Sequence, residues 1–501
     1  MNRLNFFQKL PALFRKSAAL FPLGLLLFAG ACSDEDFSTS PADQPFFMAD
    51  TLFFDTLIST VPSSTRQIVL YNPNDKDLRI ERIALRSQGS SGFMINVDGQ
   101  PGNDAEGNYQ EISDVEIWRQ DSLYILVEAR LPEQGASTPQ HVTDEIIVQT
   151  NGETRSIVLS AYAQDALILH GHTISQDTVL SAGKPLVVYD SLVVPAGVTL
   201  TCQAGARLMF HNGAGLSVHG TLITEGTATQ PVVFRSDRMD RLFSYLPYDN
   251  TPGLWEGIHF HPESEGNVLA FADIHSANTA VLCSPSADRS QQKLVLYSTR
   301  IHNSAYNALQ LWQCNVEATN CLFSNSGQEL VSLTGTEARF VHCSLLNFYP
   351  FAAHDDALLR AYSDQAEEGN GNNDPASTAD TTRVWLLNCL LSGKENSTPD
   401  HSALTAEEKG LYIAGDEATV FIEHATAISD NEHYVNLNER GDYQYDFHPT
   451  AENLGVNALT SPEAQETAQG VPQDLDGNSR IQDGAPDAGC YEYQQSAGTS
   501  E

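Results

Sequence analysis

Six residues close together in the chain could do chemistry: His259, His261, Asp273, His275, Arg300 and His302. In Trp255-Glu256-Gly257-Ile258-His259-Phe260-His261, strand alternation turns Ile258 and Phe260 inward and His259 and His261 outward. Asp273-Ile274-His275 and Arg300-Ile301-His302 share one pattern, an apolar centre flanked by a charged residue and a histidine. If both isoleucines face a core, their neighbours form an outward ladder of Asp, Arg and His. Imidazole can take or give a proton near neutral pH, and arginine can neutralise an acidic substrate. A ladder supplies no oriented nucleophile, and no pair of acids at glycosidase spacing can be drawn from the sequence. The six residues are therefore assigned to ligand binding. No catalytic residue, metal ligand or cofactor is assigned.

The elements that must position them are short strands. Between Leu186 and Arg235 the apolar runs Leu192–Val194, Val198–Thr201, Arg207–Phe210, Leu216–Val218, Thr221–Thr224 and Val232–Phe234 are each closed by Gly, Asn or Pro. Runs so short and so regularly punctuated suit a chain wound into coils, each strand stacking on the one a coil earlier. Aligning later rungs places Ile274, Ile301, Leu322, Leu345 and Leu390 in one inward column, with Asn303, Asn325 and Asn347 near the corners. Stacked corner asparagines bond the bends and are read as structural. Two insertions interrupt the coil. Gly369–Ala379 is expected to be a mobile surface loop, and Arg238–Pro252 a packed flap carrying Leu242, Phe243, Tyr245, Leu246 and Tyr248. Its aromatic rings could stack on an extended glycan. Eight cysteines are present; apart from Cys32 they are odd in number and lack any CxxC pair, so they read as small residues filling coil positions.

The runs VPAGVTLT, GARLMF, GLSVHGTL and PVVF resemble the opening rungs of right-handed parallel β-helix proteins with the pectate-lyase-like fold. The resemblance implies such a β-helix over residues 165–495, with a closing segment at 440–495 and a disordered tail at 496–501. It also implies that a groove on an outer sheet is where lyases and hydrolases of this fold work. Tyr443–Asn457 and Asp474–Tyr493 (DLDGNSRIQDGAPDAGCYEY) resemble the terminal segments of surface β-helix proteins. Asp474, Asp476 and Asn478 open like a calcium loop, but Gly477 and Ala485 break that pattern, and an Asx-rich turn is the better reading.

At the other end, Arg3, Lys9, Arg15 and Lys16 precede the apolar run Ala18–Phe28 and the small residues Ala29-Gly30-Ala31 before Cys32. This resembles a lipoprotein signal peptide over 1–31, with Cys32 as the acylated residue. Ser33-Asp34-Glu35-Asp36 resembles the acidic tag of Bacteroidota-type surface lipoproteins, and residues 32–45 form a polar tether. Residues 46–164 hold seven alternating segments: Thr51–Ile58, Arg66–Tyr71, Leu78–Leu85, Phe93–Val97, Ser122–Ala129, Glu145–Gln149 and Ser156–Ala161. They suggest an Ig-like β-sandwich without a ligand, Trp118 beside Asp114 and Glu116 being read as packing. The chain is thus expected to be all-β, a sandwich followed by a parallel β-helix.

A net charge of −37 repels nucleic acid and anionic headgroups, which excludes nucleic acid as a partner. The expected partners are the membrane, through the lipid anchor, and an extracellular glycan or protein. The expected place is the outer membrane, lipid-anchored and surface-exposed. Three functions compete: a non-catalytic surface scaffold that binds glycan or protein, a polysaccharide lyase or glycoside hydrolase, and a structural envelope component. The first is favoured.

Overall fold

The computed structural model describes residues 36–352, 357–362, 382–393, 411–414, 419–423, 426–428, 433–437, 443, 445–481 and 484–494. Cys32 with its leader, the 369–379 insertion and the 496–501 tail lie outside the described residues. The chain divides into two compact units. One holds residues up to Leu52, Ser64–Ala129 and Asp144–Leu159; the other holds Phe53–Ser63, Arg130–Thr143 and Ser160 onward.

The N-terminal strands form two five-stranded sheets. One runs in the order Phe46–Phe47, Arg66–Tyr71, Ser122–Ala129, Phe93–Val97, Gln100–Pro101. The other runs Thr51–Ile58, Glu153–Gln164, Gln140–Thr150, Leu78–Leu85, Val115–Ile117. Their registers are antiparallel, and alternate residues such as Phe93, Ile95 and Val97 are buried, as period-two patterning requires. Five of the seven expected strands keep their expected bounds, and the last two extend to Gln140–Thr150 and Glu153–Gln164. Trp118 is 49% exposed rather than packed, while Glu116 pairs with Arg79.

From Leu167 all but four strands lie in two parallel sheets, of seventeen and nine strands, an arrangement compatible with a parallel β-helix. The larger sheet has two faces, because Leu186–Val194 pairs through its first part with Arg207–Phe210 and through its second with Gly215–Val218. The first face then stacks Arg207–Phe210, Val232–Ser236, Ala272–His275, Arg300–Ser304, Leu322–Ser326, Ser344–Asn347 and Leu390–Gly393. The second stacks Gly215–Val218, Gly257–Phe260, Val281–Cys283, Leu309–Trp312, Val331–Thr334 and Leu359–Tyr362. The nine-stranded sheet is the third face, running from Thr178–Leu180 to Thr419–Glu423. One continuous apolar core fills the space between the faces, and Cys202, Cys283, Cys314, Cys321, Cys343 and Cys389 sit in it as free buried thiols.

The inward column differs from the expected one at two places. Ile301 pairs with Phe323 and Leu345 with Leu391, so the column is Ile274, Ile301, Phe323, Leu345, Leu391. Leu322 and Leu390 are buried on the opposite side, in a separate cluster with Phe348, Phe447, Leu475 and Tyr491. The physical reason is that this outer face is covered. The described residues from 434 to 494 do not continue the coil; they include an antiparallel pair, Tyr434–Leu437 with Tyr445–Pro449, and a helix, Pro462–Gln469, capped by Ser461. The helix was not anticipated from the sequence, and it buries only Ala464 and Ala468.

The corners obey local chemistry. Asn303 and Asn325 adopt φ of 55° and 54°, the left-handed region that Asn tolerates better than most residues. Asn325 Oδ1 accepts the Phe348 amide at 3.0 Å, and Asn347 Oδ1 accepts the Ser326 amide at 3.1 Å. The Asp474 turn is an Asx turn, its Oδ1 accepting the amides of Asp476 and Asn478.

Candidate functional site

On the first face the chain leaves the coil after Ser236 and returns at Trp255. The excursion contains the hairpin Arg241–Phe243 with Leu246–Pro247 and a single 3-10 turn, Tyr248–Asn250. Arg238 grips both oxygens of Asp240 at 2.7 Å and lies 3.8 Å over the Tyr248 ring, which fixes the turn. Trp255 anchors the return by stacking on Phe210 at 4.4 Å and donating its indole N–H to the His275 carbonyl. Within this flap Leu246 is buried, but Leu242, Phe243 and Tyr245 are exposed, so it is less packed than its composition suggests.

The turn delivers Asp249 to the outer side of the first face. Asp249 Oδ1 lies 2.8 Å from His275 Nε2, and Arg235 pairs with the same oxygen at 2.9 Å. His275 Nδ1 lies 2.8 Å from Asp273 Oδ1, and His302 Nε2 lies 3.1 Å from that oxygen. His275 and His302 are parallel-register partners on adjacent coils, with rings stacked 4.8 Å apart. His275 is buried rather than solvent-facing, because the flap covers it. Burial opposes its charge, but Asp249 and Asp273 outweigh burial and raise its pKa to about 9. Burial likewise opposes ionisation of Asp249, yet His275 and Arg235 hold its pKa down to about 2. Asp273, His275 and His302 each bring a ligand-type atom to within 4.8 Å of the others.

Next along the face, Arg300 binds Asp476 Oδ1 at 2.6 Å, and Asp476 Oδ2 lies 2.6 Å from His448 Nε2. His448 Nδ1 in turn meets Asp446 Oδ1 at 2.5 Å. The bond to Asp476 leads in raising the pKa of His448 to about 9, so this imidazole is cationic at neutral pH. Arg300, Asp446 and His448, with His302, Asn303, Tyr443 and Tyr491, line a cleft of about 680 Å³. One of the lining residues, Tyr443, belongs to a row of aromatic rings. Phe243 stacks on Tyr245 at 5.5 Å, Tyr245 on Tyr443 at 6.1 Å, and Tyr443 on Phe351 at 5.5 Å.

The structure thus splits the six expected residues. Asp273, His275, Arg300 and His302 share the first face, whereas His259 and His261 stand on or beside the second, away from that network. There His219 and His261 stack at 3.8 Å, and the His259 ring lies tilted against His261 at 3.9 Å. Ser217 bonds His261, Ser284 bonds His259, and Glu263 bonds His219. Burial, reinforced by the neighbouring imidazoles, lowers the pKa of His259 to about 4. The unfolded chain takes this proton near pH 6.5, before the folded one does. Stability from His259 is therefore complete above pH 6.5 and is lost as pH falls toward 4. Urea midpoints between pH 7 and 4 should show a drop that His259→Asn reduces; an equal drop in the variant would refute the assignment.

Comparison with known proteins adds little. No family model matches the chain, and no curated protein matches it. Among solved structures, a family 123 glycoside hydrolase from Clostridium perfringens, described for glycolipid glycan hydrolysis, aligns at 9% identity and a TM-score of 0.16. That alignment covers 24% of this chain and 25% of the other. A protein of unknown function from Porphyromonas gingivalis W83 aligns at 10% identity and a TM-score of 0.17, over 26% of this chain and 60% of the other. Likenesses this slight bear on neither fold nor chemistry.

Several site residues were missed from the sequence. Asp446 and His448 carried a signal, because alternate positions of a strand share a side. His219 carried one too, since it immediately follows a predicted strand, as His261 does. Arg235 carried one as well, since it follows the inward Phe234 on the strand Val232–Ser236. Asp249 carried none, because an insertion bound for its own covering contact looks like any polar loop.

Proposed function

We propose that the chain is a lipid-anchored, surface-displayed protein whose Ig-like sandwich is followed by a right-handed parallel β-helix, and that it binds an extended extracellular glycan on the first face. The aromatic row beside the cleft carries this reading. Ring faces supply apolar area at low conformational cost, and sugars present C–H faces of matching width. Arg300, Asn303 and His448 offer the few polar contacts that fix orientation in such clefts. The anchor rests on the run before Cys32, and the absence of a membrane-length apolar helix among the described residues is neutral on it. Binding is favoured over cleavage because Asp446, which lines the cleft, and its neighbours Asp476 and Asp273 are already held in pairs: Asp446 by His448, Asp476 by Arg300 and His448, Asp273 by His302. A hydrolase or lyase acting at the same cleft is the second reading, favoured by the density of titratable groups there.

Glycan arrays and calorimetry with neutral and uronate-containing polysaccharides test both. The expected result is saturable binding without product release, weakened roughly threefold to tenfold by Tyr245→Ala or Tyr443→Ala. New reducing ends or unsaturated products that vanish in Arg300→Ala would establish the enzyme instead.

A further inference from the structure

We infer that Asp273, His275 and His302 form a three-ligand site for a divalent transition metal such as Zn²⁺. One ligand atom from each lies within 4.8 Å of the others, and two of the separations are 2.8 and 3.1 Å. A tetrahedral ion bound at about 2.0–2.1 Å sets its ligand atoms roughly 3.3 Å apart. Two of the separations need to open by only a few tenths of an ångström, while the two stacked imidazoles turn toward each other to bring their nitrogens from within 4.8 Å to that spacing. Neighbouring strands of a parallel stack hold the residues, Asp273 and His275 on one coil and His302 on the next, so the site stands on rigid elements.

The surroundings fit ligation. The Nε2 of His275 faces Asp249, which makes that carboxylate the group that orients the ring, and the ion takes Nδ1 by displacing the proton that Nδ1 shares with Asp273. Arg235 in turn holds Asp249, and Ser276 Oγ donates to the Asp249 carbonyl. Two imidazoles and one carboxylate suit Zn²⁺, Co²⁺ or Ni²⁺, whereas Ca²⁺ and Mg²⁺ prefer all-oxygen sets. His302 lines the cleft, so the fourth coordination position opens onto it, where water or a ligand oxygen completes the shell. Metal binding stands apart from glycan binding and is measured without any glycan present.

The test uses the full chain, made without a histidine tag and stripped with chelator. Zn²⁺ is titrated by calorimetry, and Co²⁺ by visible absorption. One equivalent should bind and give Co²⁺ d–d bands. His302→Ala and Asp273→Asn should each weaken binding by roughly a hundredfold or more, and Asp249→Asn by about 10–100-fold. His219→Ala, in the other histidine cluster, should leave it unchanged. X-ray absorption of the Zn²⁺ form of the unaltered chain should count two imidazoles and one carboxylate, which keeps the test independent of how the variants fold. No saturable binding, three imidazoles around the ion, or unchanged affinity in folded His302→Ala overturns the site.

Discussion

Arg480→Met is expected to remove about 2–5 kcal/mol of folding stability, about 1–3 for each of two buried acceptors that lose their donor. Arg480 is fully buried, its Nη1 donating to Glu492 Oε1 at 2.7 Å and its Nη2 to Asn320 Oδ1 at 2.5 Å. Asn320 sits at a coil corner with φ of 60°, and its own Nδ2 donates to Ser298 Oγ. One guanidinium therefore ties the closing segment to the coil. Burial pushes the pKa of Glu492 up to about 8 even beside Arg480, so removing the guanidinium leaves Glu492 as a neutral buried acid without that donor, and the Asn320 carbonyl without its own. Met fills much of the volume, so the loss reads out hydrogen bonds rather than a cavity. Urea denaturation followed by circular dichroism measures it. A change below about 1 kcal/mol would mean that the pair merely offsets its own desolvation.

The coil was legible because Gly, Asn and Pro close each apolar run at the bends, and a strand such as Leu216–Val218 keeps strict alternation. Register was harder. In Cys321-Leu322-Phe323, Ser344-Leu345-Leu346 and Cys389-Leu390-Leu391 two adjacent apolar residues compete for the inward place. Alternation decides between them only when one side of the strand meets water. Here both sides are covered, the inner by the coil core and the outer by Phe447, Leu475, Tyr491 and their neighbours, so the pattern is degenerate. The same covering explains the site. Asp273, His275, Arg300 and His302 were found as outward residues of a ladder. Their partners Asp249 and Asp476 arrive from an insertion and from the closing segment, where no periodicity marks them.

The corrected register makes a prediction opposite in order to the one the sequence suggests. Phe323 has no exposed surface, packs edge-to-face on Phe340 at 5.8 Å, and lies between Ile301 and Leu345 in the inward column. Phe323→Asp places a carboxylate among apolar side chains of three coils with neither water nor a cation to pair it. The cost is at least about 3–5 kcal/mol, enough to unfold an ordinary unit at 37 °C. Phe323→Leu keeps the position apolar and should fold. Leu322→Asp should be the milder aspartate variant, because Leu322 lines the cleft and a carboxylate there can turn toward solvent near Arg300. Thermal melts of the three variants, read side by side, decide the register. If Leu322→Asp unfolds the protein and Phe323→Asp leaves the melt unchanged, the inward column is Leu322 after all, and the pairing of Ile301 with Phe323 is wrong.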